Sequence, residues 1–260
     1  PGGGGAGPQA RRTTGRRMAT GRLRLEELPA ISGAGSCSQM AVRGGAPEER
    51  LPVAVMGREG VGKSAITMYY MKGCFLQEYD PTIDDLHKFP TTVAGSPALL
   101  EILDTGGQEE FDSQRQSWMT QGAGFLFVFS LVDRRTFDEL GGFREDLMAL
   151  YSHDPPPSVL VANKADIDKR KWVVHDEEIR ALHSCWRNCA QVVYTSAQSG
   201  DNISFAFEAL CLAIRERTAV KRLAARDREA RAQRMEAEAA QSEGQRCCLA
   251  RLVACACAVQ

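Results

Sequence analysis

The sequence predicts an α/β fold with a mainly parallel sheet covered by helices on both faces, and three observations carry that reading. From Leu51 onward short apolar runs alternate with amphipathic segments. Several runs are hydrophobic almost without interruption, as strands buried on both faces require. The first run ends in a glycine-rich loop that leads into a helical stretch.

Candidate strands are LPVAVM (51–56), ALLEILD (98–104), GFLFVFSL (124–131), SVLVAN (158–163) and QVVYTS (191–196). Between them, helical stretches fall near 63–72, 134–150, 175–187 and 203–217. In the last, Ile203, Phe207, Leu210 and Ile214 recur at helical spacing and line one face. KFPTTVA (88–94) reads as an edge strand, joined to the next strand by a hairpin through Gly95, Ser96 and Pro97.

Outside this region the texture changes. Residues 1–49 are dominated by Gly, Ala, Ser, Pro and Arg and are expected to be a disordered extension, because so few large apolar groups cannot repay the entropy of ordering. Six arginines and no acid in residues 1–24 raise a transit-peptide reading, but the interspersed glycines and prolines do not make an amphipathic helix. After Thr218 the chain becomes a charged run of Ala, Arg, Glu and Gln without an apolar stripe, expected to be a solvated helix or flexible spacer over 219–246.

Overall charge nearly cancels, 33 acidic against 32 basic residues, so no whole-chain field favours nucleic acid. Of nine cysteines, four crowd into 247–257 and the rest are scattered, unlike a disulfide framework. No run of 18 apolar residues is present.

GREGVGKS (57–64) fits G-x-x-x-x-G-K-[ST] in the strand-to-helix context the pattern demands. Its glycines let backbone N–H groups converge on phosphate at a positive helix N-terminus, Lys63 reaches the β/γ oxygens, and the Ser64 hydroxyl can hold Mg²⁺. DTGGQ (104–108) follows a strand, so the carboxylate of Asp104 stands at a strand end where it can hold the metal through water. NKAD (163–166) closes another strand on the same sheet edge. A carboxylate at Asp166 accepts from the ring N–H and exocyclic amine of guanine; adenine would leave that buried acceptor unpaired, a penalty of about 10⁴ in selection. Guanine is favoured, and an ATP-using P-loop enzyme disfavoured.

With these motifs in place, residues 50–218 resemble the G domain of the Ras family in element order and spacing, which implies a P-loop NTPase fold of six strands and five helices. The resemblance implies GTP and GDP as ligands and Mg²⁺ as cofactor. It assigns Glu59, Gly60, Val61, Gly62, Lys63, Ser64 and Ala65 to the phosphates. YDPTIDD (79–85) resembles the first switch, with Tyr79 and Pro81 near the nucleotide and Thr82 on Mg²⁺ and the γ-phosphate. DTGGQEEF (104–111) resembles the second, where Gly107 offers an amide to the γ-phosphate and Gln108 orients the attacking water. Ras is itself the worked case for that hydrolysis mechanism. Phe75 matches an aromatic stacked on guanine, with Asn163, Lys164 and Asp166 on the base. TSAQ (195–198) resembles the last base loop, bringing Ser196, Ala197 and Gln198. Segments 79–87 and 104–115 would face effectors, with exchange factors (GEF) and GTPase-activating proteins (GAP) as further partners.

The sequence also departs from the family. Glu59 stands where most members have glycine; its bulk and charge would crowd a GAP's arginine finger, which with its contacts supplies about 10⁵ in rate, so slow, GAP-insensitive turnover is expected. Gly106 replaces the usual alanine and loosens a hinge. Gln198 replaces a lysine, and Asp84, Leu86 and His87 differ in the effector-facing segment. A non-hydrolysing, GTP-bound scaffold is the alternative reading.

CAVQ (257–260) fits the prenylation pattern, with Cys257 as acceptor and Gln260 favouring farnesyl. One chain binds membranes marginally, so Cys247, Cys248 and Cys255 are candidate palmitoylation sites and the basic run 221–234 a further attraction to anionic lipid. The expectation is a lipidated tail over 247–260 and residence on the cytoplasmic face of the plasma membrane or endomembranes.

Overall fold

The apolar runs assemble into one sheet of six strands among the described residues: β1 (Glu49–Met56), β2 (Asp84–Val93), β3 (Ser96–Thr105), β4 (Gly124–Ser130), β5 (Ser158–Asn163) and β6 (Cys189–Tyr194). The computed structural model describes residues 49–75, 84–107, 114–152 and 154–257, with backbone alone considered beyond residue 238. Strand order is β2-β3-β1-β4-β5-β6. β2 is antiparallel to β3 and every other pairing is parallel. The α/β expectation is met.

Alternation along β1 shows why both faces are apolar. Val53 and Val55 point into a core with Ile66 of α1 (Lys63–Lys72) and Phe207, Leu210 and Ile214 of α6 (Ile203–Cys257). Ala54 and Met56 point into the opposite core, with Trp118 and Met119 of α2 (Arg115–Gln121), Phe143 and Leu147 of α4 (Leu140–Tyr151) and Ile179 of α5 (Asp176–Cys185). Phe207 is fully buried and stacks on Tyr70 of α1 with ring centroids 4.1 Å apart. Truncating such a side chain to alanine costs about 3–5 kcal/mol.

Several boundaries differ from expectation. The stretch 134–150 is two helices, α3 (Arg134–Asp138) and α4, meeting at Glu139. Asp133 caps the first through its side chain, and a 3.0 Å bond from Gly142 N to the Glu139 carbonyl tightens the junction. The hairpin turns through Ala94 and Gly95 alone, both at positive φ (46° and 77°), while Ser96 and Pro97 already pair in β3. A two-residue turn of that hand matches the twist of its strands. The last strand is shifted to 189–194, and α2 is a helix that the apolar pattern did not isolate.

The charged spacer is helix: α6 runs unbroken for 55 residues. Its buried face ends at Ile214, and residues 219–236 are exposed throughout. The 39 residues from Ala219 to Cys257 rise about 58 Å at 1.5 Å per residue. Strong helix formers fill this stretch, with Asp227/Arg231 and Arg234/Glu238 at i,i+4 spacing. Side chains pin its base: Arg215 Nε meets Glu49 Oε2 at 2.9 Å, and Arg217 and Lys221 share Asp154 Oδ2 at 2.9 and 2.7 Å. No helix among the described residues is long and apolar enough to cross a membrane.

Candidate phosphate and guanine site

Because β1, β3, β4, β5 and β6 run parallel, their C-terminal ends share one sheet edge, and the strand order changes direction at β1, which has β3 on one side and β4, reached from β3 through α2, on the other. Ligand crevices in open α/β sheets lie outside such a switch point. Here a cleft of about 220 Å³ is lined by Gly60, Gly62, Lys63, Ser64, Ala65, Thr105 and Gly107.

The loop between β1 and α1 is glycine-dependent. Gly57 has φ 147°, and a Cβ there would lie 2.1 Å from the Val128 carbonyl oxygen. Gly62 has φ 100°, and its Cβ would lie 2.5 Å from Asn163 Nδ2. From the first residue of α1, Lys63 Nζ reaches back to donate to the carbonyls of Gly57 (2.8 Å) and Arg58 (3.1 Å). Burial pushes Lys63 down from 10.5 to about 8, with the charges of Asp104, Glu139 and Glu59 pulling it back up.

Asp104, at the end of β3, is 2% exposed. Burial pushes its carboxyl up from 3.8 to about 6, opposed by a hydrogen bond from the Ser64 hydroxyl and by the charge of Lys63. Its Oδ1 is buried with no hydrogen-bond partner among the described residues. A desolvated carboxylate oxygen beside a serine hydroxyl fits a hard divalent cation. Mg²⁺ characteristically takes one or two protein oxygens and completes its shell with phosphates and water. No cluster of three or more His, Cys, Asp or Glu residues that could hold a metal ion is found among those described.

Farther along this edge the loops are held together by Asn163. Its Nδ2 donates to the Val61 carbonyl at 2.7 Å, and its Oδ1 accepts from Thr195 Oγ1 and the Ala197 amide, both at 3.2 Å. One buried side chain therefore ties the phosphate loop to the loop after β6. Lys164 follows at φ 67°. Asp166 is exposed rather than the buried acceptor expected, with one oxygen taking a 2.7 Å bond from Ser196 Oγ. It lies on the rim, so it would be desolvated only by a base that covers it. Gln198 is exposed, and Phe75 is 42% exposed. Tyr69 of α1 braces the same loop: its hydroxyl donates to the Ser199 carbonyl at 3.1 Å, and a Cβ on Gly200 would collide with its ring at 2.0 Å.

Gly107 abuts the phosphate loop so closely that a Cβ would meet Lys63 Nζ at 2.2 Å and the Glu59 amide nitrogen at 2.6 Å. The Glu59 side chain is exposed, and its charge reaches Lys63. The structure thus gathers Glu59, Gly60, Val61, Gly62, Lys63, Ser64, Ala65, Asp104 and Gly107 at one end, with Asn163, Lys164, Asp166, Ser196 and Ala197 along the same edge. Tyr79, Pro81, Thr82 and Gln108 lie outside the described residues.

Residues 52–216 match the Ras family. This chain belongs to that family. Like its relatives it is a small GTPase, and the mouse Ras-related protein R-Ras is 40% identical to it over 172 residues, 65% of this chain and 77% of that protein. Ras-family GTPases in general bind GTP, GDP and Mg²⁺.

Sequence reasoning missed two features of this Ras-family site. One is Tyr69 against Gly200. The other is an ion-pair chain from Arg58 through Glu139 to Arg115 and Asp146. The visible signal for the second was an arginine among the variable positions of GREGVGKS.

Proposed function

We propose that this protein is a lipid-anchored Ras-type switch that binds GTP and GDP with Mg²⁺, recruits effectors in the GTP state, and hydrolyses GTP slowly because of Glu59. The observation that carries the reading is a buried pair at the glycine loop: Lys63 lines the cleft, and Asp104, hydrogen-bonded by Ser64 of the same cleft, has its Oδ1 buried with no hydrogen-bond partner among the described residues. Phosphate would satisfy the first and Mg²⁺ the second. Mg²⁺ would be held by Ser64 and Thr82, and by Asp104 through water, and would supply charge neutralisation at the β- and γ-phosphates. Lys63 binds the same oxygens, Gly107 offers its amide to the γ-phosphate, and Gln108 orients water. Asn163, Lys164, Asp166, Ser196 and Ala197 select guanine, with Phe75 stacking on it.

The exposure of Glu59, next to Gly60 of the cleft wall, supports interference with an incoming arginine from a GAP more than with nucleotide binding. Single-turnover hydrolysis, with and without a Ras-family GAP, tests this: feeble stimulation of the wild type and recovery in Glu59→Gly are expected. Strong stimulation of the unchanged chain would overturn it. The same Glu59 favours a second reading, a non-hydrolysing GTP-bound scaffold, which multiple-turnover assays separate because a scaffold releases no phosphate above background.

Prenylation at Cys257, palmitoylation at Cys247, Cys248 or Cys255, and residence on a cytoplasmic membrane face complete the proposal. The apolar, cysteine-rich end of α6 and the basic residues 221–234 support it. Metabolic labelling with a farnesyl analogue is expected to be lost in Cys257→Ser; labelling that persists would exclude that acceptor.

A further inference from the structure

Arg58 follows the first glycine of the phosphate loop, Glu139 stands at the junction of α3 and α4, and Arg115 opens α2. Their side chains converge. Arg58 Nη1 meets Glu139 Oε2 at 3.1 Å, and Arg115 Nη2 meets Glu139 Oε1 at 3.1 Å, so each carboxylate oxygen takes one guanidinium. All three side chains are less than a third exposed, which shields the pairs from solvent. Arg115 is further fixed by Asp146 Oδ2 at 3.3 Å and by the Phe143 ring, 4.2 Å beneath its guanidinium carbon.

This carboxylate connects the phosphate loop to α2, and Gly107, which precedes α2 in the chain, packs against the same loop. The backbone of Arg58 is part of the wall against which Gly107 packs, since a Cβ on Gly107 would lie 2.8 Å from Arg58 C. The Arg58 carbonyl also accepts from Lys63. On the other side, Arg115 begins the helix that follows Gly107 in the chain after seven intervening residues. Glu139 therefore holds both the phosphate loop and the first residue of α2.

We propose that Glu139 is a positioning residue for GTP hydrolysis: by clasping Arg58 and Arg115 on one carboxylate it sets the spacing between the phosphate loop and the start of α2. It touches neither nucleotide nor water. Loss of the clasp lets the two elements drift independently, which lowers turnover while leaving most nucleotide contacts, supplied by the loop amides and the base loops, in place.

The test uses the full chain loaded with GDP or GTP and the variants Glu139→Gln, Glu139→Asp, Arg58→Ala, Arg115→Ala and the double alanine variant. In the GDP form, Glu139→Gln is expected to speed amide hydrogen exchange about tenfold in both 57–62 and 114–121, with Glu139→Asp restoring part of the protection. In single turnover its hydrolysis rate is expected to fall about tenfold while GDP affinity moves less than threefold. Arg58→Ala and Arg115→Ala are expected to be non-additive, the double variant no slower than the worse single one, because either breaks the same clasp. Unchanged exchange, exchange rising in only one segment, or fully additive alanine effects would overturn the proposal. Its kinetic arm rests on the hydrolysis reading above. A wild type without turnover would defeat that reading, and the exchange arm would still decide the clasp.

Discussion

Replacing Asn163 with alanine should release nucleotide far faster while leaving the fold intact. The side chain is 1% exposed and makes three hydrogen bonds, to the Val61 carbonyl, the Thr195 hydroxyl and the Ala197 amide. Each is worth about 1 kcal/mol net, and each buried partner left unpaired adds to the loss, so about 3 kcal/mol is at stake. Both Val61 and Ala197 belong to the proposed nucleotide-contacting loops, so most of that cost should appear when the loops close on ligand. At 1.4 kcal/mol per tenfold, GDP affinity is expected to fall about 100-fold. Stopped-flow release of a fluorescent GDP measures it directly. A release rate within threefold of wild type, at comparable thermal stability, would refute the idea that this side chain holds the two loops together.

Three further outcomes follow from the same geometry. Gly57→Ala puts a Cβ 2.1 Å from a backbone oxygen at φ 147°, so a loss of more than about 3 kcal/mol and of GDP binding is expected in thermal unfolding; a midpoint within 2 °C of wild type would contradict it. In nucleotide-stripped protein the raised carboxyl of Asp104 makes folding bind a proton more tightly than unfolding does. Its contribution is therefore most favourable below pH 4, declines as pH rises from 3.8 to about 6, and is flat above; the span is about 3 kcal/mol. Urea unfolding across that range should show the decline, and Asp104→Asn should flatten it. Asp154→Ala removes the anchor shared by Arg217 and Lys221, so amides in 219–230 should exchange faster while the midpoint of the globular part moves little, since such exposed pairs are worth at most about 1 kcal/mol.

The legible parts of this molecule were those governed by local chemistry. FLFVFS had to be a strand buried on both faces, and Gly57, Gly62 and Lys63 had to form a cradle, because neighbouring residues alone set those requirements. Asn163 was legible as a base-loop residue but not as a tie to Val61, 102 positions away. The clasp joins Arg58 to Glu139 across 81 positions, and nothing in either local sequence forecasts that pairing. The break at Glu139 was hidden because residues 134–150 keep an apolar period through it. The helical character of 219–257 was ambiguous because its support is propensity and charge spacing, not an apolar stripe. Asp166 is exposed and Lys164, two residues before it, sits at φ 67°, details that NKAD does not encode.

The long exposed part of α6 has a mechanical consequence. Its base is gripped by Arg215, Arg217 and Lys221, next to strands β1 and β2 and the loop entering β5. Over about 58 Å, a 10° tilt at that grip carries the far end through about 10 Å. The helix is a lever arm, and changes too small to notice at the sheet edge become displacements of molecular size at its tip.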